Sequence, residues 1–346
     1  MKDRLKKFFG IPFILLILIV IIALGIRSGE FASASTILTQ IPPGYLIACV
    51  LCFAAYLVFD ALGIHSAIRR QGYRLPFRDT FMVSLRGQYY YYITPGASGG
   101  QPMQIYYLRE LGIPTGVGTS VLVLHFASFQ IMLAFLTLLF AIPHLAFLRQ
   151  NIDGHYLLLL FGFIINTGIA VVMLLFSFFR KPVQLLIRLI DFLIRKLRLS
   201  RNPDKLKKRL QDTANLFHDS MELMIEHPGG IFLQLFYGGV QQILLMTMIY
   251  IVYCGLGQQG ASYMQIISLS FAQYISASYV PIPGASGAQE GVFSLFFRQI
   301  FPGASCYAAM LLWRTTTFYL PLLVSALSIV FYRAHSGNDT AHGSVS

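Results

Sequence analysis

Apolar runs of about 20 residues, separated by short polar or basic stretches, make up most of the chain. A run of this length crosses the hydrocarbon core of a bilayer as an α-helix, because lipid offers the backbone no other hydrogen-bonding partner. The stretches 95–108 and 284–300 are too short to cross and are predicted as re-entrant helices. We therefore predict an all-α integral membrane protein, a single polytopic membrane domain over residues 1–346 with about eight transmembrane helices. The predicted spans lie at about 9–27, 44–64, 79–94, 115–142, 156–179, 230–255, 262–282 and 304–332.

Two of the apolar runs end in closely related segments, PGASGGQ at 95–101 and PGASGAQ at 283–289. A Pro-Gly pair followed by small residues breaks a membrane helix, and it frees peptide groups that protein or trapped water must satisfy. Paired interruptions of this kind, one in each half of a membrane protein, indicate a transport site near the bilayer midplane. The residues predicted to form the two re-entrant turns are Pro95, Gly96, Ser98, Gly99, Pro283, Gly284, Ser286 and Gly287.

The positions of the basic residues predict the orientation. The chain carries 26 Lys and Arg against 14 Asp and Glu, a net charge of +12. Most of the basic residues lie before the first span, between Arg69 and Arg78, or between Arg180 and Arg209, and these segments fall on one predicted side. By the positive-inside rule the N-terminus, the long middle loop and the C-terminus are cytoplasmic, which places the chain in the cytoplasmic (inner) membrane. The net charge therefore reflects topology, and we expect no nucleic acid binding.

With this orientation, the two motifs enter the membrane from opposite sides, which is the arrangement of an inverted repeat. We predict a first repeat over 44–179 and a second repeat over 230–333. Between them lies a basic cytoplasmic amphipathic loop at 180–229. This loop is too short to hold a catalytic domain.

The loop itself predicts two helices. Leucine and isoleucine recur at helical spacing from Val183 to Leu199 with arginine and lysine between them, which suits a helix in the membrane interface. Asn202 and Pro203 then predict the start of a second helix, which ends before Pro228. The excess of positive charge is expected to attract anionic phospholipids, and the alternative is ordinary positive-inside topology without specific binding.

Charged residues at membrane depth are the candidates for chemistry. Glu290 directly follows the second motif, and a charge at the centre of a membrane helix costs about 2.5–3.5 kcal/mol, so it needs a partner. We expect Arg314, in the last span, to be that partner. The pair is either structural or functional; in the functional interpretation Arg86, Arg109 and Arg314 bind a lipid phosphate through their planar guanidinium groups. Glu290 then orients an arginine or meets a cationic head group.

Uncharged polar residues cluster around the same motifs. Gln101, Gln104 and Gln289 are predicted to line a polar path for a head group, and the alternative is that they cap backbone groups freed by the Pro-Gly breaks. Tyr92 ends a run of four tyrosines before the first motif. These tyrosines belong either to an interfacial belt or to the lining of the same path.

The sequence contains no nucleotide-binding loop, zinc-binding helix motif or nucleophile elbow, so we predict no cofactor, no metal and no catalytic residues. Only His125 of the eight histidines lies well inside a span. It is predicted to hydrogen-bond between helices rather than to bind metal.

The two motifs, the segment LRELGI at 108–113, Glu290 and the region of Arg314 resemble the lysylphosphatidylglycerol synthetase transmembrane family. Its members are the flippase-like membrane domains of proteins of the multiple peptide resistance factor type. The resemblance implies a membrane domain with inverted re-entrant segments that moves a phospholipid, typically an aminoacylated phosphatidylglycerol, between leaflets. Full-length synthetases of this type also carry a soluble aminoacyltransferase domain, for which these 346 residues leave no room.

The favoured function is therefore a phospholipid flippase for (aminoacyl-)phosphatidylglycerol or a related lipid-linked head group. One alternative is a phosphatidylglycerol lysyltransferase, the activity for which the family is named. Another is a membrane scaffold for an envelope enzyme, without transport. Anionic phospholipids are the expected partners, and a homodimer or a separate lipid-modifying enzyme stays open.

Overall fold

A computed structural model describes residues 30–197, 202–226 and 228–331, together with a few isolated positions before residue 30. The predicted span at 9–27 lies almost wholly outside the described residues. The helices are α1 (Glu30–Thr39), α2 (Pro43–Arg70), α3 (Phe77–Ile93), α4 (Gly100–Glu110), α5 (Thr115–Ala141), α6 (Leu145–Ile152), α7 (Tyr156–Phe178), α8 (Arg180–Lys196), α9 (Pro203–Ile225), α10 (Pro228–Gly255), α11 (Tyr263–Ala277), α12 (Ala288–Phe297), α13 (Ala304–Arg314) and α14 (Leu320–Phe331). A π-helical turn, Thr315–Tyr319, joins α13 to α14.

Five helices in the described part of the chain are long and apolar enough to cross a membrane. They are Pro43–Arg70, Thr115–Ile152, Tyr156–Phe178, Pro228–Gly255 and Ala304–Val330. The protein is therefore an all-helical, multi-pass membrane protein, as the hydrophobic pattern predicts.

The predicted spans at 79–94 and 262–282 correspond to α3 and α11, which have 17 and 15 residues. At about 1.5 Å per residue, each is shorter than a hydrocarbon core of roughly 30 Å. Each is instead one arm of a hairpin: α3 and α4 form hairpin 1 around residues 94–99, and α11 and α12 form hairpin 2 around residues 278–287. The predicted number of eight full spans is therefore not reached among the described residues.

Hairpin 1 opens at the end of the bundle where α2 finishes and α5 begins. Leu108, in the last turn of α4, is buried in a cluster with Ile64, Val117 and Phe217 of α2, α5 and α9. This end, called the basic end below, also holds the start of α10, where a Cβ added at Gly230 would lie 3.2 Å from the Arg70 side chain. Here the Gln71 side chain donates a hydrogen bond of 2.8 Å to the Ser220 carbonyl.

Hairpin 2 opens at the other end of the bundle. Phe293 and Phe297 of α12 are buried in a cluster with Ile152, at the end of α6, and Val252, in the last turns of α10. Since α10 starts at the basic end and runs 28 residues to Gly255, this cluster lies at the opposite end. The two hairpins therefore enter the bundle from opposite ends.

The tips of the two hairpins meet. Pro95 and Pro283 form an isolated antiparallel β-bridge. The two turns also share their backbone geometry: Ala97 and Ala285 both have positive φ angles, of 57° and 48°, each directly after a glycine with positive φ. A non-glycine residue in this region costs about 1–3 kcal/mol, so the surrounding structure holds both turns in one shape. The repeated sequence thus encodes a repeated turn.

The basic middle loop forms the two predicted helices. α8 exposes an apolar face that includes Leu185, Leu189 and Phe192. Between the helices, burial raises the pKa of Asp191, but hydrogen bonds from Lys207 and Arg195 outweigh it and hold the pKa below its usual range. The pair between Lys207 and Asp191 joins α8 to α9, whereas Arg195 and Asp191 both lie in α8.

A glycine on α7 tests how closely the helices pack. A Cβ added at the buried Gly162 would lie 2.1 Å from the Ile275 carbonyl oxygen of α11, whereas one added at Gly168 of the same helix meets nothing within 4 Å. We expect Gly162→Ala to lower the free energy of unfolding by about 1–3 kcal/mol, because backbone has to move. Gly168→Ala should be neutral or stabilising by up to about 1 kcal/mol. Thermal unfolding in detergent measures both, and equal melting temperatures would contradict the observed packing.

Candidate functional site

A cavity of about 410 Å³ lies where the two hairpin tips meet. Both turns line it, hairpin 1 through Gly96, Ala97 and Ser98 and hairpin 2 through Gly284 and Ala285. Its volume falls within the range of small-molecule binding sites, roughly 300–1,000 Å³. The tips therefore enclose space rather than packing directly against each other throughout.

A buried ion pair lies behind hairpin 2. Arg314 and Glu290 are 5% and 4% exposed, and Arg314 Nε donates to Glu290 Oε1 over 2.7 Å. The same arginine donates through an Nη2 hydrogen to the Gly284 carbonyl (3.3 Å) and to the Ser286 hydroxyl (3.1 Å). Glu290 Oε2 accepts a hydrogen bond of 2.6 Å from the Gly287 amide. The pair therefore fastens the second turn, and Glu290 already occupies one backbone donor that could have bound a phosphate.

Arg314 also reaches the cavity. Its guanidinium carbon lies 4.3 Å from the ring centroid of Phe318, and both residues line the cavity. In the described part of the chain, its Nη1 group carries no hydrogen bond. The π-helical turn starts directly after Arg314 and turns Thr317 and Phe318 toward the same space. Such π-turns are common at functional sites.

A second buried pair lines the cavity nearer to hairpin 1. His125 Nε2 lies 2.9 Å from Asp60 Oδ1, and Ser84 donates a hydrogen bond to the other carboxylate oxygen. His125 Nδ1 lies 3.2 Å from the Oε1 atom of Gln234, whose amide nitrogen donates to the Gly63 carbonyl. Both ring nitrogens therefore lie near an acceptor atom, and the ring links α5 to α2 and α10. Among the described residues, no group of three or more His, Cys, Asp and Glu side chains converges as a metal site would require.

His125 thus hydrogen-bonds between helices, as predicted. Sequence reasoning missed its partner Asp60. The signal was present, because Asp60 is the one acidic residue in the apolar run at 44–64. An acid at that depth marks a functional or paired site.

Amides and tyrosines form much of the remaining wall. The predicted residues Gln101, Gln104, Gln289 and Tyr92 all line the cavity. Gln289 Oε1 accepts a hydrogen bond of 2.6 Å from Gln273, and the Tyr92 hydroxyl donates to the Thr317 carbonyl over 3.3 Å. Gln88 and Tyr91, from the run of residues that ends at Tyr92, line it too. Further lining residues, which sequence reasoning did not single out, are Gln130, Gln241, Gln273, Tyr56, Tyr274 and Tyr279.

The other predicted arginines lie elsewhere. Arg86 is buried between α3 and α4, with its guanidinium carbon 4.8 Å from the ring centroid of Tyr107 and Asp79 and Glu110 nearby. Arg109 is exposed at the end of α4. Neither lines the cavity, so the structure does not gather three arginines around one phosphate. That Arg86 and Arg109 bind a lipid phosphate remains a prediction.

The cost of separating the buried pair can be measured. Glu290→Leu leaves Arg314 charged and buried, and we expect it to lower the free energy of unfolding by about 3–5 kcal/mol. Adding Arg314→Leu should recover a large part of this loss, since no uncompensated charge then remains. The exposed pair between Arg298 and Asp153 is the control, because Asp153→Asn should change stability by no more than about 1 kcal/mol. Chemical unfolding of the four proteins measures these values, and a double variant less stable than Glu290→Leu would refute the assignment.

Comparison with known proteins adds the family. No curated protein matches the chain. A family profile described as the lysylphosphatidylglycerol synthase TM region matches residues 11–325. The match includes both hairpins and both buried pairs, and its description agrees with the helical membrane fold. The chain belongs to the lysylphosphatidylglycerol synthase transmembrane-region family, which indicates a membrane role in the handling of lysylphosphatidylglycerol.

Proposed function

We propose that this chain is a lipid flippase, which moves (aminoacyl-)phosphatidylglycerol or a related lipid-linked head group between the leaflets of the cytoplasmic membrane. One observation carries the proposal: a cavity whose wall holds a buried arginine and several amide side chains lies between the tips of two broken helices. Lipid tails can remain in the bilayer, so only the polar head group needs such a cavity. The family supports the same class of substrate.

Arg314 is the proposed phosphate ligand. Glu290, Gly284 and Ser286 use donors on one edge of its guanidinium group, and the Nη1 edge remains for a phosphate oxygen. Its pairing with Glu290 offsets the cost of the buried charge and holds the guanidinium group in place before the lipid arrives. A charge-assisted hydrogen bond to phosphate then replaces part of the water that the head group loses.

The two tips have different surroundings, which suggests which side of the cavity admits the head group. Pro95 to Ser98 in hairpin 1 are exposed. In hairpin 2, Gly284 lies under the Phe318 ring, where an added Cβ would be 2.1 Å from a ring carbon. We propose that the head group first contacts the hairpin 1 tip and then moves toward Arg314.

The transport cycle follows from the inverted arrangement. The segments 44–179 and 230–333 act as two inverted repeats, and the basic end faces the cytoplasm. Movement of one hairpin against the other exposes the cavity alternately to the two leaflets, with the bridge between Pro95 and Pro283 as the contact that has to shift.

Transport in reconstituted vesicles tests the proposal. Phosphatidylglycerol with a fluorescent acyl chain should become accessible to an external quencher much faster with the protein than in protein-free vesicles. Arg314→Lys keeps a positive charge beside Glu290 but removes the guanidinium fork, so the rate should fall roughly ten-fold or more. Arg298→Lys, at the exposed pair, is the matched control and should transport at the parental rate.

One result would count against the flippase, and another would count against the role of Arg314. One is transport no faster than in empty vesicles from protein that is folded and correctly inserted. The other is an equal rate in the parent and Arg314→Lys, which would remove the arginine from the transport path.

A further inference from the structure

Most of the cavity wall is apolar, and its polar groups are mainly neutral amides and hydroxyls rather than free carboxylates. Seven glutamines line it in the described part of the chain, against one acidic residue, Asp60. A glutamine side chain donates two hydrogen bonds and accepts two. This chemistry matches a ligand that carries both donors and acceptors without charge, as hydroxyl groups do.

Among the described residues, one of these amides has no protein partner and a second is only half-paired. Gln241 is 0% exposed, and neither its amide nitrogen nor its carbonyl oxygen makes a hydrogen bond to the described residues, although the side chain lines the cavity. The Oε1 atom of Gln273, also fully buried, is unpaired as well. Buried polar groups without partners cost stability, and native structures keep few of them. Their position on the cavity wall indicates that a ligand, or water in its place, supplies the missing partners.

The acidic residues are not available to a cationic head group. Asp60 is held by His125 and Ser84 on its two oxygens. Glu290 is held by Arg314 and the Gly287 amide, and it does not line the cavity. A lysyl head group would bring two ammonium groups into a space that the positively charged Arg314 lines, without an unpaired carboxylate among the described residues to receive them.

We infer that the cavity selects a lipid whose head group combines one phosphate with uncharged hydroxyls, in preference to an aminoacylated lipid. Arg314 binds the phosphate, while Gln241 and Gln273 bind hydroxyl groups. The inference rests on the proposed flippase function where transport is measured. It does not rest on that function where binding is measured. The glycerol of phosphatidylglycerol and a hydroxylated ring on a lipid phosphate share this chemistry. The binding experiment below distinguishes between them.

Binding is tested first. Short-chain phosphatidylglycerol, phosphatidylinositol and lysylphosphatidylglycerol are titrated against the full chain in detergent, and ligand-induced thermal stabilisation gives the affinities. We expect at least one of the first two lipids to bind roughly ten-fold or more tightly than the lysyl lipid, as unpaired polar groups imply. Tighter binding of phosphatidylglycerol indicates a glycerol head group, and tighter binding of phosphatidylinositol indicates a hydroxylated ring. Equal or tighter binding of the lysyl lipid overturns the inference.

The same lipids with labelled acyl chains are then compared in vesicles. If no lipid moves but the binding preference holds, the flippase proposal fails and the inference on head-group chemistry stands. If the lysyl lipid moves fastest, the flippase proposal stands and the inference fails.

Two adjacent glutamines on α10 give a matched pair of variants. Gln241 and Gln242 are both 0% exposed with unpaired amides, but only Gln241 lines the cavity. Without ligand, Gln241→Leu and Gln242→Leu should both melt at or above the parental temperature, because each removes a buried unpaired amide. Gln241→Leu should weaken phosphatidylglycerol binding roughly ten-fold or more, whereas Gln242→Leu should bind as the parent does. A lower melting temperature for Gln241→Leu, or equal binding by both variants, would show that Gln241 has only a structural role.

Discussion

A helix that breaks inside a membrane must satisfy the peptide groups that the break exposes, and the rest of this structure depends on how it does so. Lipid cannot supply the partners, so protein has to. At the second turn the partners are charged: Arg314 donates to the Gly284 carbonyl, and Glu290 accepts from the Gly287 amide. At the first turn the partner is a hydroxyl group, since Thr94 Oγ1 accepts a hydrogen bond of 2.8 Å from the Gly99 amide. The two breaks therefore have related backbones but different chemistry.

This difference links the fold to the proposed function. The charged partners at the second turn place an arginine deep in the protein beside an open space, where a carboxylate balances its charge. The uncharged hydroxyl at the first turn leaves the tip of hairpin 1 exposed and made of small residues, so a bulky head group can approach it. One hairpin thus offers a fixed positive charge and the other offers access. A transporter that carries an anionic head group past an apolar core needs both.

Local signals predicted a large part of this arrangement from the sequence. The two Pro-Gly segments are strong helix breakers, and they became the two turns. Glu290 and Arg314 were paired because a lone charge at depth is too costly, and that reasoning needs no structure. Hydrophobicity also predicted the five long helices, but it counted α3 and α11 as spans because the runs at 79–94 and 262–282 approach the length of a crossing.

The predictions that failed, and the residues that were missed, depend on the rotation of a helix about its axis and on contacts between residues far apart in sequence. Arg86 has the right depth, but it points between α3 and α4 rather than into the cavity, and sequence alone does not fix the rotation of a helix with polar residues on every face. Asp60 and His125 are 65 residues apart and meet only because α2 and α5 pack together. The unpaired amides of Gln241 could not be foreseen, since glutamine in a membrane helix is normally satisfied by a neighbour.

The most direct test of the central claim is the reaction of a single cysteine at the meeting point of the tips. In a chain whose four native cysteines are replaced, Ser98→Cys places a thiol in the cavity wall, and Leu160→Cys places one on the exposed apolar face of α7. Intact membranes are treated with a charged, membrane-impermeant thiol reagent. A hydrated cavity predicts fast modification at position 98 and slow modification at position 160. If position 98 were as unreactive as position 160, the tips would meet in a dry contact and the account would be contradicted.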